Sequence, residues 1–385
     1  MSDKADQRPH VGLFIDWYLP GFRAGGPIQS MANLVAHLSP FLRFSVFTRD
    51  TDYTESQPLP GVESDRWNVL DDGTRVFYFS QRNLSYSNMM EAMLEAQLDA
   101  VYVNGIFSKA FAHWPLQAAR ALGIGHRVVG ARGMLAPGAL AQKAIKKRLF
   151  LWYARYGTLF SGCRFHATNT EEAVQIAKWF PGWPVHTAGN LSKPVQATMP
   201  AHDAKEMGVL RLVSIARIAP EKNLSFALEC LLSANVPVHL NIYGPVYDEA
   251  YWQHCLDSIK KFPAGTTATY HGSLPPSAAA GVLAQNDALF LPTLGENFGH
   301  IVLEAFQAGV PVLISNRTPW RHLHSKNAGW DLPLEEPQAF ADALKKLLAM
   351  GQSEFDALRA GAFSIGLAYA QDAQVVADNL RLFEP

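Results

Sequence analysis

Short apolar runs alternate with longer stretches of helical periodicity along most of the chain. Val11-Gly12-Leu13-Phe14-Ile15 reads as a first buried strand, and comparable runs recur at 43–48, 75–79, 100–104, 127–131, 164–167 and 185–188. Helical patterns such as 107–122 and 141–159 lie between them, and this alternation predicts a parallel, doubly wound α/β sheet. A second series follows at 210–216, 238–243, 268–271 and 288–292, then a short helix and a strand ending at Ser315, with helical patterns at 337–349 and 352–382. Residues Pro194 to Gly208 are polar and proline-bearing, as a linker would be. The 385 residues suit two domains of roughly 150 to 200 residues each, here 1–194 and 209–365 joined by 195–208.

Composition narrows the class. With 48% hydrophobic residues each domain can bury a core. The net charge of −1 hides an asymmetry: residues 1–190 carry 19 Lys and Arg against 15 Asp and Glu, and the rest 14 against 19. A positive first half fits an anionic partner without indicating nucleic acid. Cys163, Cys230 and Cys255 have no ligand spacing and cannot all pair, so they read as reduced thiols of the cytoplasm. Met1 to Pro9 form a polar tail without a signal-peptide core, and no run is long enough to span a membrane.

The polar insertion 50–74 carries Asp50-Thr51-Asp52 and Asp71-Asp72, read as solvated loop carboxylates with no metal. His166 to Glu172 ends a strand and starts a helix with capping-box spacing from Thr168 to Glu171. Lys143, Lys146, Lys147 and Arg148 precede Leu149-Phe150-Leu151-Trp152-Tyr153, Arg155 and Tyr156. Such a segment either rests on an anionic bilayer or is an ordinary helix with a buried apolar stripe and a wet basic face.

The densest candidate chemistry is Gly295-Glu296-Asn297-Phe298-Gly299-His300 followed by Ile301 to Ser315. Asn297 is a candidate N-cap, Gly299 permits close backbone approach, and Gly309 ends a helix that Pro311 could not continue. Glu296 in the loop and Glu304 on the helix suit a ligand carrying hydroxyls and phosphates, or else merely cap the helix and face solvent. Arg217 and Lys222, five residues apart after a strand, can converge on a diphosphate or be surface cations. Gly244 and Gly272-Ser273-Leu274 lie at C-terminal strand ends, where open α/β sheets bind ligands. Gly25-Gly26-Pro27 opens a helix to which an anion could come close, or is only a turn. Arg132 follows another strand, where it either grips an anion or pairs with a core-edge carboxylate.

Glu-x7-Glu with Phe-Gly between, then Glu-Ala and Gly-x-Pro-Val, resembles the donor-site signature of retaining glycosyltransferases of the GT-B fold, most closely glycosyltransferase family 4. The resemblance implies two Rossmann-like domains facing across a cleft, with residues 366–385 forming a helix that crosses back to the first. It implies that Glu296 meets the donor sugar's hydroxyls, that Asn297 and the backbone of Phe298, Gly299 and His300 meet sugar or phosphate, and that Glu304 holds the ribose. Arg217-x4-Lys222 is similar to the family's diphosphate motif. The turns at Gly244 and at Gly272-Ser273-Leu274 join the donor site, the second bordering the base. Gly25 and Gly26 face the cleft on the acceptor side, with Asp16 a further carboxylate there. Arg132-Gly133-Met134-Leu135 stands where many members have a histidine, and resembles a branch common among surface-polysaccharide enzymes. An anionic group nearby would suit Arg132.

The implied reaction moves a sugar from a nucleotide-diphosphate donor, a UDP-sugar before GDP-mannose, to a hydroxyl of a lipid-linked glycan in bacterial lipopolysaccharide or exopolysaccharide synthesis. Neither cofactor nor metal is expected, nucleic acid is not a partner, and residues 142–156 would touch the inner membrane leaflet from the cytoplasm. With the glutamates assigned to binding there is no carboxylate nucleophile, so the departing phosphate would help take the acceptor proton. Three rivals are a phosphorylase or soluble-acceptor synthase on the same fold, a sugar-nucleotide sensor without turnover, and a dehydrogenase. The last lacks Gly-x-Gly-x-x-Gly after its first strand.

Overall fold

The computed structural model describes residues 6–141, 144–193 and 197–384. Met1 to Ala5 of the polar tail, residues 142 and 143 of the basic segment, and residues 194–196 at the linker's start lie outside them. The chain divides into two compact units, Met1–Leu191 with Asp372–Pro385, and Ser192–Gln371.

Unit 1 runs β1 (His10–Phe14), α1 (Gly26–Leu38), β2 (Arg43–Arg49), β3 (Trp67–Val69), β4 (Arg75–Phe79), α2 (Tyr86–Ala96), β5 (Ala100–Asn104), α3 (Trp114–Ala121), β6 (His126–Gly130), α4 (Pro137–Ala141), α5 (Ala144–Tyr156), β7 (Arg164–Ala167), α6 (Thr170–Trp179) and β8 (Val185–Thr187). The strands lie in the order β3-β4-β2-β1-β5-β6-β7-β8, all parallel except β3, which runs antiparallel to β4. Both central strands, β1 and β5, are buried along their full length, which explains their near-continuous apolar sequences.

Unit 2 runs β9 (Leu210–Ile215), α7 (Leu224–Ala234), β10 (Val238–Tyr243), α8 (Glu249–Ile259), β11 (Thr266–Tyr270), α9 (Ala279–Ala284), β12 (Ala288–Leu291), α10 (His300–Gln307), β13 (Val312–Ser315), β14 (Gly329–Leu332), α11 (Pro337–Ala349) and α12 (Gln352–Ala370). The order β11-β10-β9-β12-β13-β14 is fully parallel and, renumbered within the unit, is the Rossmann order 3-2-1-4-5-6. Its direction reverses between β9 and β12, as that of unit 1 does between β1 and β5. Such switch points open crevices at the carboxyl ends of the strands. The segment 197–208 lies against unit 2: Lys205 donates to the Leu348 carbonyl at 2.9 Å and Arg359 to that of Pro200 at 3.1 Å. α13 (Ala373–Arg381) belongs to unit 1, where Asn379 donates to the Gly189 carbonyl at 2.8 Å.

Several local expectations change. The pattern 352–382 is two helices, broken at Gln371–Asp372, where the Asp372 side chain caps α13. The pattern 107–122 begins with a π-helical turn, Lys109–His113, before α3. α6 is capped by Asn169, whose side chain accepts from the Glu172 N–H at 2.8 Å, so the box from Thr168 to Glu171 does not form. Asp50 and Asp52 are buried rather than solvated. Asp52 accepts from the backbone N–H groups of Phe22 at 3.0 Å and Arg23 at 3.2 Å, and Asp50 from Ser64 Oγ at 2.8 Å. Carboxylates that satisfy several donors are stable out of water, and here Asp52 orders the loop leading into α1. The three cysteines are free and buried, and burial pushes Cys163 and Cys255 up to about 11 and Cys230 to about 12.

Candidate active site

In unit 2 the switch point gathers residues from two loops. The β9 exit carries Arg217, a short 3-10 turn Pro220–Lys222, and Asn223 at φ +59°. The β12 exit carries Thr293 to Gly299. Three backbone anchors join these loops: the Glu221 carbonyl accepts from Leu294 N–H at 2.9 Å and from Thr293 Oγ1 at 3.0 Å, and Asn223 Nδ2 donates to the Pro292 carbonyl at 3.0 Å. The consequence is that Lys222 Nζ pairs with Glu296 Oε1, both side chains being largely buried. Glu296 is fixed from the other side, its N–H donating to the Arg317 carbonyl at 3.0 Å.

Arg217 lies at the outer edge of this group, paired with Glu221 at 2.9 Å and over the Tyr247 ring at 5.6 Å. Its loop is knitted to the β10 exit by Ile218 N–H donating to the Pro245 carbonyl at 2.8 Å. Gly244 stands at φ +140°, and a Cβ there would sit 1.9 Å from the Ala216 carbonyl oxygen. Its N–H donates to Gly272 at 2.8 Å, so the exits of β9, β10 and β11 form one backbone patch. Beside it Ser273 is exposed and Leu274 half-buried.

α10 begins two residues later than an Asn297 cap would place it. Gly299, at φ +79°, is the N-cap, and Val302 N–H donates to its carbonyl at 3.0 Å. Asn297 is therefore not the cap. A left-handed cap favours glycine, and it leaves the first N–H groups of α10 pointing out along the helix axis, an end that favours anions. The Phe298 carbonyl accepts from Trp320 Nε1 at 2.7 Å, and the Phe298 ring packs near His300, Trp320 and Tyr369, with centroids 4.8 to 5.5 Å apart. Glu304, one turn into the helix, pairs with Lys193 Nζ at 2.9 Å. Glu296 and Glu304 thus each face a lysine, rather than capping the helix or standing in solvent. Lys193 and Trp320 escaped the sequence reading because they lie outside the motif, and nothing in their local pattern marks them.

In unit 1 the elements flanking β1 and β5 hold the other candidates. Asp16 accepts from Ser108 Oγ at 3.0 Å, with Arg49 Nη2 at 3.5 Å, and burial raises its pKa above the usual carboxylate value. Gly25, at φ +68°, is the N-cap of α1, and Gly26 is its first residue; no atom lies within 4 Å of a Cβ built on Gly25. Arg132 is turned inward, so it does not meet the expectation of a guanidinium offered to an outside anion. Its Nη1 donates to Asn190 Oδ1 at 2.6 Å and its Nη2 to the Tyr102 hydroxyl at 2.5 Å. That hydroxyl donates to His166 Nδ1 at 2.8 Å, and His166 Nε2 donates to the Ala188 carbonyl at 2.8 Å. Burial, then the charge of Arg132, holds His166 far below its ordinary pKa, so it stays neutral in this relay. The loop is fixed by Glu172, buried, which accepts from Gly133 N–H, from Thr168 N–H at 2.6 Å and from Thr168 Oγ1 at 2.7 Å. Among the described residues no group of three or more His, Cys, Asp or Glu is placed to hold a metal ion.

Residues 196–360 match the family model described as Glycosyl transferases group 1. No curated protein matches the chain closely. Among solved structures the chain is similar to sucrose-phosphate synthase from Thermosynechococcus elongatus, with TM-score 0.73 at 14% identity and 98% of each chain covered. It is also similar to Anabaena Alr3699/HepE in complex with UDP and glucose, with TM-score 0.73 at 13% identity over 97% of this chain and 98% of that one. A third is WaaG, a glycosyltransferase involved in lipopolysaccharide biosynthesis, with TM-score 0.63 at 15% identity over 96% and 98%. These likenesses identify the fold as GT-B, and within it residues 196–360 match the glycosyl transferases group 1 model.

Proposed function

We propose that the chain is a retaining glycosyltransferase that transfers a sugar from a nucleotide-diphosphate donor held by unit 2. The observation that carries this reading is the pairing of Lys222 with Glu296 across the β9–β12 switch point, in the segment matching the group 1 model. In this reading Arg217, Lys222 and the N-terminus of α10 stabilise the diphosphate as it departs. Glu296 orients the sugar, Phe298, Gly299 and His300 border it, and Glu304 holds the ribose. The turns at Gly244 and Gly272 to Leu274 shape the base end. The positive charge comes from side chains, so the reaction proceeds without a metal, and activity should survive strong chelation unchanged.

A uridine nucleotide is the favoured donor, since HepE is described in complex with UDP-glucose and a trehalose-6-phosphate protein with UDP-2-fluoro glucose. A lipid-linked glycan acceptor is supported by WaaG's description and by the Arg132-Gly133-Met134-Leu135 phrase. The inward turn of Arg132 moves its part from gripping an anion to shaping the loop, and leaves Asp16, Gly25 and Gly26 as the acceptor-side elements.

A thermal-shift panel of uridine, guanosine and adenosine diphosphates and their sugars tests the donor. The matching one should stabilise by about 2.7 kcal/mol when present at a hundred times its dissociation constant. Stabilisation by none of them would sink the reading. Tight binding with neither transfer nor slow donor hydrolysis would favour a sensor. Glu304→Ala should weaken the matching nucleotide by about 1–3 kcal/mol through loss of charge-assisted hydrogen bonds, and unchanged calorimetric affinity would remove Glu304 from the ribose.

A further inference from the structure

Unit 1 presents a helix face that its own core does not use. On α5 only Leu151 and Ala154 are buried, and Phe150 packs inward near Phe107 and His113, with centroids 5.5 and 4.9 Å apart. The apolar side chains of Ile145, Leu149, Trp152, Tyr153 and Tyr156 are instead between 63% and 85% exposed. At 3.6 residues per turn these five fall within an arc of roughly 100°, on the side opposite Leu151 and Ala154. Exposed Lys146 lies at one edge of the arc, and exposed Arg148 and Arg155 at the other.

The arrangement reverses an ordinary surface helix, which buries its apolar stripe and wets its charges. Isolated exposed apolar residues need no explanation, but a contiguous stripe rimmed by cations does. The charge around it is one-sided. From residue 100 to residue 170 there is no Asp or Glu, while ten Lys and Arg occur. No carboxylate of this stretch can therefore neutralise the rim. The tryptophan and tyrosines within the stripe are side chains that favour the headgroup region of a bilayer. No helix among the described residues is long and apolar enough to cross a membrane, so the geometry is that of a helix lying in the interface plane.

We propose that this face of α5 docks unit 1 on a bilayer containing anionic lipid, with Ile145, Leu149, Trp152, Tyr153 and Tyr156 entering the headgroup and acyl boundary and Lys146, Arg148 and Arg155 meeting lipid phosphates. The surface belongs to unit 1 and the donor residues to unit 2, so docking stands or falls separately from the sugar-transfer reading.

Cosedimentation with phosphatidylcholine vesicles, with and without about a third phosphatidylglycerol, tests it. The full chain should partition at least about tenfold more strongly onto the anionic vesicles, and raising salt from about 0.1 M to 0.5 M should weaken that binding severalfold, because exposed charges are screened. Trp152→Ser with Tyr156→Ser should reduce partitioning about tenfold or more, and so should Lys146→Glu with Arg148→Glu. Circular dichroism and an unchanged thermal unfolding transition show that each variant is folded. Absence of partitioning by the unmodified chain would overturn the proposal, as would equal binding by both folded double variants. Sedimentation showing that the stripe instead pairs two copies of the chain, without vesicle binding, would overturn it too.

Discussion

Lys222→Ala should lower kcat by about 10²- to 10³-fold while changing the donor's dissociation constant by less than about tenfold. The reason is where the cation sits. Lys222 is held at the β9–β12 switch point by the Glu221 and Asn223 anchors, and among the described residues it forms an ion pair with Glu296, with side-chain exposures of 18% and 13%. A cation already ordered and largely desolvated need not reorganise when negative charge grows on a leaving diphosphate, so it acts most strongly in the transition state. The single variant also leaves Glu296 without its cation, which by itself could disturb the loop. Glu296→Gln, alone and combined with Lys222→Ala, separates the effects: if the loss comes from leaving-group stabilisation, kcat in the pair falls well below that of Glu296→Gln alone. Recovery of turnover would mean that an uncompensated carboxylate did the damage. Equal losses in turnover and donor affinity in the single variant would reassign Lys222 to ground-state binding.

How much of this was legible in the sequence differs by element. The parallel strands could be read because β1, β5 and β12 are buried from end to end and so are nearly continuous apolar runs. Their order could not, since sheet order is set by which helix covers which face. The contact of Lys222 with Glu296 is likewise invisible locally: 74 residues separate them, and backbone anchors through Glu221 and Asn223, residues with no distinctive pattern, bring them together. Lys193 pairs with Glu304 from a position just ahead of the stretch that reads as a linker. Whether Arg132 grips an anion or pairs at the core edge is open in the sequence, which gives no direction for a side chain; its φ of +54° and the buried Tyr102 hydroxyl turn it inward. The burial of Asp50 and Asp52 is hidden for the same reason, polar residues in a polar stretch being indistinguishable from solvated ones until their donors are seen. The α5 segment has two readings in the sequence; the exposure of Ile145, Leu149, Trp152, Tyr153 and Tyr156 departs from a buried apolar stripe, and contact with a bilayer is the proposal drawn from it.

Gly244→Ala should destabilise unit 2 by roughly 3 to 5 kcal/mol, at the upper end of single-residue effects, whereas Gly272→Ala should cost only about 1 kcal/mol. Both glycines close strands at the edge of the candidate donor site, and both have positive φ, +140° and +79°. They differ in what a methyl group would meet. At Gly272 no atom lies within 4 Å of an added Cβ, while at Gly244 the Cβ would lie 1.9 Å from the Ala216 carbonyl oxygen and 2.5 Å from its carbon. Neither backbone can yield cheaply, because Ala216 N–H donates to Tyr243 at 2.9 Å and Ile218 N–H to Pro245 at 2.8 Å on either side of the clash. Relief would have to break that ladder and shift Arg217 with it, so Gly244→Ala should also abolish stabilisation by the matching nucleotide. Urea denaturation followed by circular dichroism, with and without nucleotide, measures both effects. Similar losses for the two alanines would mean that positive φ alone makes these glycines necessary, and that close contact between the β9 and β10 exits does not position Arg217.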